Sequence, residues 1–315
     1  MKRTHHIICL TIDTDPDGLS GITTDRAASS FKGLEYLQTF PSQLNENLKK
    51  EIPLTWFVRI DKQMEDFFGN ELYLLEKFSS FWQQVKELNH EMAWHPHIYQ
   101  KQDSAFIISS DEKYNENCVL KSWQLIQQNK VEFISFRNGE GWQTPALLNT
   151  IEQLGMRNDS TAIPNLNKPA PHPMNWINAP TQPYFPSQLD VRNSGAPRAV
   201  LEIPMNTWQV KAPYDAAPKT RYMNAAVRTE LFENSLSLIN VNDIKADMYI
   251  WNFITHPDEL MPERKSDLLY SGSKNDYIEN IQQFVHKIEA TNCTYEYATI
   301  ATACDKWRQY YKTVK

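Results

Sequence analysis

The chain predicts an α/β barrel whose chemistry sits on one rim. Two observations predict it: apolar, strand-like runs alternate with helical patterns along the chain, and polar or charged residues recur where those strands end. At 315 residues and 41% apolar content the chain has material for a large core. The expectation is a single domain over 1–315, with one long proline-rich loop insertion at 162–198.

Taken in order, HHIICLTID (5–13) is a nearly continuous apolar run ending in acids, as a strand covered on both faces does when it delivers its last residues to a cleft. Pro16 and Gly18 then form a turn, leaving Asp13 and Asp15 able to face the same side. A polar loop bearing Thr and Ser leads to a helix at 41–50. PLTWFVRI (53–60) is the next buried strand, ending on Arg59 and Asp61, which are expected to pair. Leu72, Leu75, Phe78, Phe81, Trp82, Val85 and Leu88 recur at helical spacing, so 70–89 reads as one amphipathic helix and its aromatic stripe as core.

A short strand at 91–95 reaches His95, with His90 before it and His97 after it. A helix at 110–129 precedes VEFISFR (131–137), which places Arg137 at another strand end. Thr144 as cap and Pro145 at the first helical position start a helix that stops before Gly155, and strand 156–161 carries Asp159. Residues 162–198 hold eight of the eighteen prolines and no regular period, the profile of a lid or binding loop. Its Trp176, Tyr184, Phe185, Asn175, Asn178 and Arg192 suit a flat polar ligand such as a sugar, and equally a proline-rich loop that packs on itself. Strand 199–206, a loop with Trp208, a helix near 224–240 and strand 248–255 follow, the last ending on His256-Pro257-Asp258-Glu259. A helix at 274–290, a strand at 294–300 and a terminal helix complete the alternation.

Composition excludes several classes. A net charge of -6 and a pI near 5.8, without a basic run carrying aromatics, argue against a nucleic-acid groove. The apolar run after Arg3 is only Ile7 to Leu10, too short for a signal peptide or anchor, so the expectation is a cytoplasmic protein with no membrane partner. Cysteines at 9, 118, 293 and 304 lack CxxC spacing and are expected to be reduced and mostly buried. Nothing in the chain specifies an oligomeric state.

In a barrel, distant strand ends converge, so Asp13, Asp15, His95, His97, Arg137 and His256 can meet. Two imidazoles and one carboxylate are the ligand set of a catalytic zinc with a position open for water. A second carboxylate can take that water's proton and a further histidine can protonate a leaving group. DxD also occurs in metal-dependent glycosyltransferases, but there a nucleotide-binding region precedes it, and here only twelve residues do. His-x-His also marks amidohydrolase barrels, which carry it after the first strand, whereas this chain has it after the third.

TIDTD, HEMAWHPH, FRNGEGW and ITHPDEL, in that order at strand ends, resemble the motifs of the polysaccharide deacetylase family, the NodB-homology domain. The resemblance spans about 5–300 and implies a distorted (β/α) barrel of about seven parallel strands that removes N-acetyl groups from sugars, some relatives cleaving other amides. Carried over, it implies Asp13 as general base, Asp15 and His95 as ligands of a divalent metal, zinc first, and Arg137 orienting the base. Asp159 falls near the region that tethers such an arginine, and His256 becomes the general acid with Asp258 a possible orienting partner. The family's second metal histidine would fall at Tyr99, so the expectation shifts that ligand to His97. Arg137-Asn138-Gly139-Glu140-Gly141 replaces Arg-x-Pro-Tyr-Gly, which implies a looser oxyanion loop, and the charge of Glu140 suggests a substrate other than a plain chitin-like polymer. Trp142, Asp159, Trp176 and Trp208 are the expected substrate contacts. His90 reads as structural, and His5, His6, His172 and His286 as surface or loop residues. The expected partner is a small-molecule or glycan substrate. The alternatives are a non-catalytic carbohydrate-binding relative and a formamide or cyclic-ureide hydrolase of the same fold.

Overall fold

A computed structural model describes residues 3–18, 30–103 and 105–314. Most of the polar loop expected after the first strand lies outside these residues.

Strand β1 (His5–Asp13) is the trunk of the sheet, and its period of two divides it. Ile8, Leu10 and Ile12 pack outward in the main core, while Ile7 and Cys9 pack inward. Thr11 and Asp13 continue the inward row. The same division recurs in β2 (Leu54–Arg59) and β3 (Glu91–His95): Trp56, Val58, Met92 and Trp94 join the outer core, whereas Phe57 and Ala93 join the inner one. Arg59 and His95 stand two residues beyond Phe57 and Ala93, so they enter the same mouth as Asp13.

Tyr99–Gln102 (β4) and Ala105–Ile108 (β5) form an antiparallel hairpin off the sheet. Ser135–Phe136 (β6), Asn158–Asp159 (β7) and Leu201–Glu202 (β8) extend the sheet, and Thr207–Val210 (β9) with Lys219–Tyr222 (β10) makes a second hairpin. With Met248–Thr255 (β11) the order is β11-β1-β2-β3-β6-β7-β8, every pair parallel, and Thr294–Tyr297 (β12) lies beside the first half of β1. Between β8 and β11 the gap is spanned by Asn206: its N–H donates to the Asn252 carbonyl (3.1 Å) and its Oδ1 accepts from the Asn252 N–H (2.6 Å). The seven strands curl into the expected distorted barrel.

The bottom of the barrel is plugged by the terminal helix Ile300–Val314, whose Ile300, Ala303 and Cys304 pack against Ile7 and Cys9. The Glu91 carboxyl accepts the Ala301 N–H (2.9 Å) there, satisfying a donor that the helix's first turn leaves open. The open mouth is thus the opposite end.

Several elements differ from the sequence reading. The helix expected over 70–89 is two, Tyr73–Lys77 and Ser79–Glu87, broken at Phe78, whose ψ of 28° leaves helical geometry. Its stripe is core up to Val85, but Leu88 is exposed. Strands expected at 131–137, 156–161 and 199–206 pair over only two residues each, because tilted strands in a distorted barrel overlap briefly. All four cysteines are free, Cys9 and Cys304 fully buried. Among the described residues no helix is long and apolar enough to cross a membrane.

The helix Pro145–Gln153 starts as its sequence requires, with the Thr144 hydroxyl accepting the Leu147 N–H (3.1 Å). Thr144→Ala is expected to cost about 1 kcal/mol in urea unfolding; an unchanged midpoint and slope would contradict that role.

Candidate metal centre and active site

The mouth of the barrel holds a cavity of about 590 Å³ lined at its base by Asp13, Asp15, His95, His97, Arg137 and His256. Asp15, His95 and His97 each present one donor atom, all within 4.8 Å of one another. The distances are 3.3 Å between the two imidazole Nε2 atoms, 3.2 Å from His97 Nε2 to Asp15 Oδ1 and 3.7 Å from His95 Nε2 to Asp15 Oδ2.

The tautomers follow from the far side of each ring. His95 Nδ1 faces the Arg137 carbonyl at 2.8 Å, so Nδ1 carries the proton and Nε2 is bare. The Tyr99 hydroxyl donates to Glu140 (2.8 Å), so its oxygen accepts from His97 Nδ1 (3.1 Å), and His97 Nε2 is bare as well. Burial and the Arg59 guanidinium hold His97 below the ordinary histidine range. Two lone pairs then point at each other beside a carboxylate, an arrangement that only a proton or a cation relieves. The donor set therefore fits a divalent metal, and its N/O character suits zinc.

The departures at 97, 99, 139 and 140 are one physical unit. A Cβ on Gly139 would lie 2.0 Å from His97 Cδ2, so glycine is what lets the ring occupy its place. Tyr99, standing where the family pattern has a histidine, supports His97 from behind and is itself held by Glu140. Glu140 adopts φ 58° and pairs with Lys168 at 2.6 Å, and His172 of the proline-rich loop lies 3.4 Å away. Burial opposes its charge, but His97 and Lys168 hold its carboxyl down to about 2. The loop expected to be loose is a fixed turn: Gly139 N–H donates to Pro96 O (2.8 Å) and Asn138 N–H to Thr161 Oγ1 (2.9 Å).

Asp15 is anchored from outside the sequence expectation. Arg59 pairs with Asp61, as expected, but its Nη1 also reaches Asp15 Oδ1 at 2.6 Å. Asp61 in turn accepts the His97 N–H (2.8 Å) and caps the helix Lys62–Phe68. Burial disfavours the Asp15 charge, yet His97 and Arg59 hold it well below the usual carboxylate range.

Asp13 turns Oδ1 to Arg137 Nη1 (2.5 Å) and Oδ2 toward His95 Nε2 (3.6 Å). Arg137 is fully occupied: Nε donates to Ser160 O, Nη2 to Ser160 Oγ and Nη1 also to Thr11 Oγ1, each at 2.9 Å, with the guanidinium 3.8 Å above the Phe57 ring. Ser160 is the tether, so the expectation for Asp159 is corrected by one residue: successive residues of an extended segment point to opposite sides, and Ser160 directly follows β7. Asp159 is buried against Thr161 (2.5 Å) and Gln143 (2.9 Å) and does not line the cavity.

His256 Nε2 lies 3.6 Å from Asp15 Oδ2, and its Nδ1 lies 3.1 Å from Glu259 Oε1. Glu259 therefore replaces Asp258 as its partner, since Asp258 is spent on Arg264. The spacing is that of a capping box, with Glu259 also accepting the His256 N–H (2.8 Å), and that H-x-x-E pattern is the signal that could have found it. Burial would lower His256, but Glu259, Asp15 and Asp13 outweigh it and push it up to about 10, leaving a proton to give.

The aromatic residues are placed differently from the sequence reading. Trp142 and Trp176 are buried in the core, Trp176 Nε1 donating to Gly141 O (2.7 Å), and neither lines the cavity. Tyr184 and Phe185 pack inward likewise, and Arg192 pairs with Asp190. The loop faces the cavity with Ile163, Leu166, Lys168 and Met174 instead. Trp208 lines a neighbouring cavity. His90 is structural, accepting the Leu54 N–H on Nδ1 (2.7 Å). His6 is not a surface residue: it is buried and accepts from Trp251 Nε1 (3.0 Å), because the trunk strand is covered on both faces. His5 and His172 also have partners, Glu296 and Glu140.

Tyr99→Phe is expected to lower zinc affinity about 10–100-fold in calorimetric titration, and Gly139→Ala to lower it further by displacing His97; wild-type affinity in both would contradict the coupling. Burial, and next the adjacent Asp159, push Glu202 well above the carboxyl range, so it is protonated in the fold. The unfolded residue ionises above roughly pH 4.3, so this group's penalty is absent below that value and grows as pH rises toward the folded pKa. Glu202→Gln should therefore flatten the fall in melting temperature between acidic and mildly alkaline pH; an unaltered profile would refute the protonated pair.

No family sequence model matches the chain, and no curated protein matches it in sequence. Solved structures do. A candidate polysaccharide deacetylase from Mycobacterium smegmatis superposes with a TM-score of 0.57 at 15% identity, over 98% of this chain and 92% of that one. A family 4 carbohydrate esterase from Streptomyces lividans in complex with acetate gives 0.40 at 10% identity over 94% of both chains. A candidate polysaccharide deacetylase involved in O-antigen biosynthesis from Bordetella bronchiseptica gives 0.40 at 13%, over 92% and 91%. The chain has the NodB-like fold of the polysaccharide deacetylases.

Proposed function

We propose that this protein is a metal-dependent hydrolase that removes an N-acetyl or other N-acyl group from a sugar or small amide. The observation that carries the reading is the pair of bare Nε2 atoms beside Asp15, flanked on one side by a carboxylate held by arginine and on the other by a protonated histidine. Asp15, His95 and His97 would hold the ion, which when bound acidifies a water and polarises the amide carbonyl.

The chain's own groups do the rest. Asp13, with Oδ1 fixed by Arg137, keeps Oδ2 toward the three ligands and takes the proton of the attacking water. Arg137 is so fully tethered that it can only orient this base, leaving its charge neutralised and buried. His256 delivers a proton to the departing amine, and Glu259 keeps that proton in place and the ring aimed. A second reading, a non-catalytic carbohydrate-binding relative, draws on Arg59: a guanidinium already on Asp15 Oδ1 weakens the pull of that carboxylate on a metal.

Asp13→Asn should lower turnover of an N-acyl substrate about 10²–10⁴-fold at unchanged zinc stoichiometry, whereas His95→Ala should lose the zinc. Full activity in Asp13→Asn sinks the base assignment, and a wild-type chain that binds no zinc favours the second reading. Glu259→Gln should move the alkaline limb of the kcat profile down by about one pH unit or more, because the largest raising influence on His256 is gone; an unmoved limb argues against His256 as the acid.

A further inference from the structure

A second cavity of about 230 Å³ adjoins the first, and Leu166, Tyr222 and Tyr270 line both. The Tyr222 ring stands 6.4 Å from the His256 imidazole, so the second chamber lies beside the His256 side of the site. Its further walls are mainly apolar: Trp208, Val210, Val227 and Leu269.

Most of the polar groups that share these walls are already engaged. The Asn224 amide donates to Glu259 (2.7 Å), and its oxygen accepts from Ala226 N–H (2.7 Å) and the Thr255 hydroxyl (3.1 Å). Arg221 is taken by Asp215 and the Val210 carbonyl, each at 2.9 Å, and the Thr220 oxygen accepts from Gln209 (2.8 Å). Tyr270 is engaged by Tyr222 and Glu259. Trp208 is different: it is only 5% exposed, and its Nε1–H has no hydrogen-bond partner among the described residues. A buried donor left unmade is costly, so its presence on a cavity wall marks a place for an acceptor.

We propose that this chamber binds the amine-side portion of the substrate, and that this portion is a compact, uncharged, mainly apolar group carrying one hydrogen-bond acceptor for Trp208. The proposal rests on the amide-hydrolase reading and narrows it. An apolar cavity of roughly 150 Å³ is enough for benzene, so the chamber takes one ring with a short substituent. A sugar ring brings several hydroxyls, each needing partners, and apart from the Trp208 Nε1–H and the Thr220 hydroxyl these mainly apolar walls offer them few. An aryl or branched alkyl amide bearing a single ether or carbonyl oxygen matches them.

The test uses acetophenone, one ring with one carbonyl, titrated into the full chain while indole N–H signals are followed by ¹H–¹⁵N NMR. The signal missing in Trp208→Phe should shift at millimolar acetophenone. Trp208→Phe should weaken binding roughly five- to ten-fold, Val227→Phe, which fills the chamber, should abolish it, and glucose should leave the signal unmoved. No shift up to the solubility limit, an equal shift with glucose, or undiminished binding in Val227→Phe overturns the proposal; Trp208→Phe decides alone should Val227→Phe fail to fold. The titration needs no turnover, so it can succeed even if the hydrolase reading fails. Conversely, equal kcat/KM for N-acetylated arylamines and N-acetylglucosamine would overturn the chamber and leave the hydrolase reading standing.

Discussion

Two imidazoles whose Nε2 atoms face each other 3.3 Å apart impose a condition that the surrounding structure meets. Each ring must be held from behind, or it would rotate away from the repulsion. His95 is held by the Arg137 carbonyl and His97 by Tyr99, which is fixed in turn by Glu140. Lys168 of the proline-rich loop pairs with that same Glu140, so the loop and the site are joined through one carboxylate. Carboxylate-backed histidines orient and strengthen metal ligands generally; here a phenol stands between the carboxylate and the ring.

Charge is arranged around this pair in two shells of opposite purpose. Arg137 and Arg59 are both nearly fully buried, and each is paired to one of the two mouth aspartates. Arg137 leaves one oxygen of Asp13 facing the ligands, while Arg59 secures Asp15 and, through Asp61, the backbone of His97. A buried ion pair adds little net stability after desolvation, so these pairs are better understood as fixing geometry at the mouth. The barrel underneath makes that possible by closing its bottom with the terminal helix and its side gap with Asn206.

Much of this was legible in the chain. The period-2 split of β1, β2 and β3 follows from their residues, and it sends Thr11, Asp13, Arg59 and His95 to one mouth without any knowledge of tertiary contacts. The Thr144-Pro145 start and the burial of the aromatic stripe are local too. What could not be read were partnerships across loops. Tyr99 and Glu140 are 41 residues apart, Arg59 and Asp15 are 44 apart, and nothing local says that Gly139 makes room for His97. Ser160 rather than Asp159 tethers Arg137 because the side of a two-residue strand is set by its neighbours, which periodicity cannot specify. Trp142 and Trp176 show the converse error: an aromatic residue in a loop reads as a ligand platform, yet a long loop also needs a core of its own.

On the proposed reading, the Nε2 atoms of His95 and His97 and the carboxylate of Asp15 together hold one divalent ion. X-ray absorption at the zinc edge on protein loaded with one equivalent tests it most directly. The spectrum should show two imidazole nitrogens at about 2.0–2.1 Å with oxygen donors completing a four-coordinate site, one imidazole being lost in His97→Ala and no change of imidazole count in Tyr99→Phe. A single imidazole in the wild-type spectrum, or a phenolate contribution that disappears in Tyr99→Phe, would contradict it.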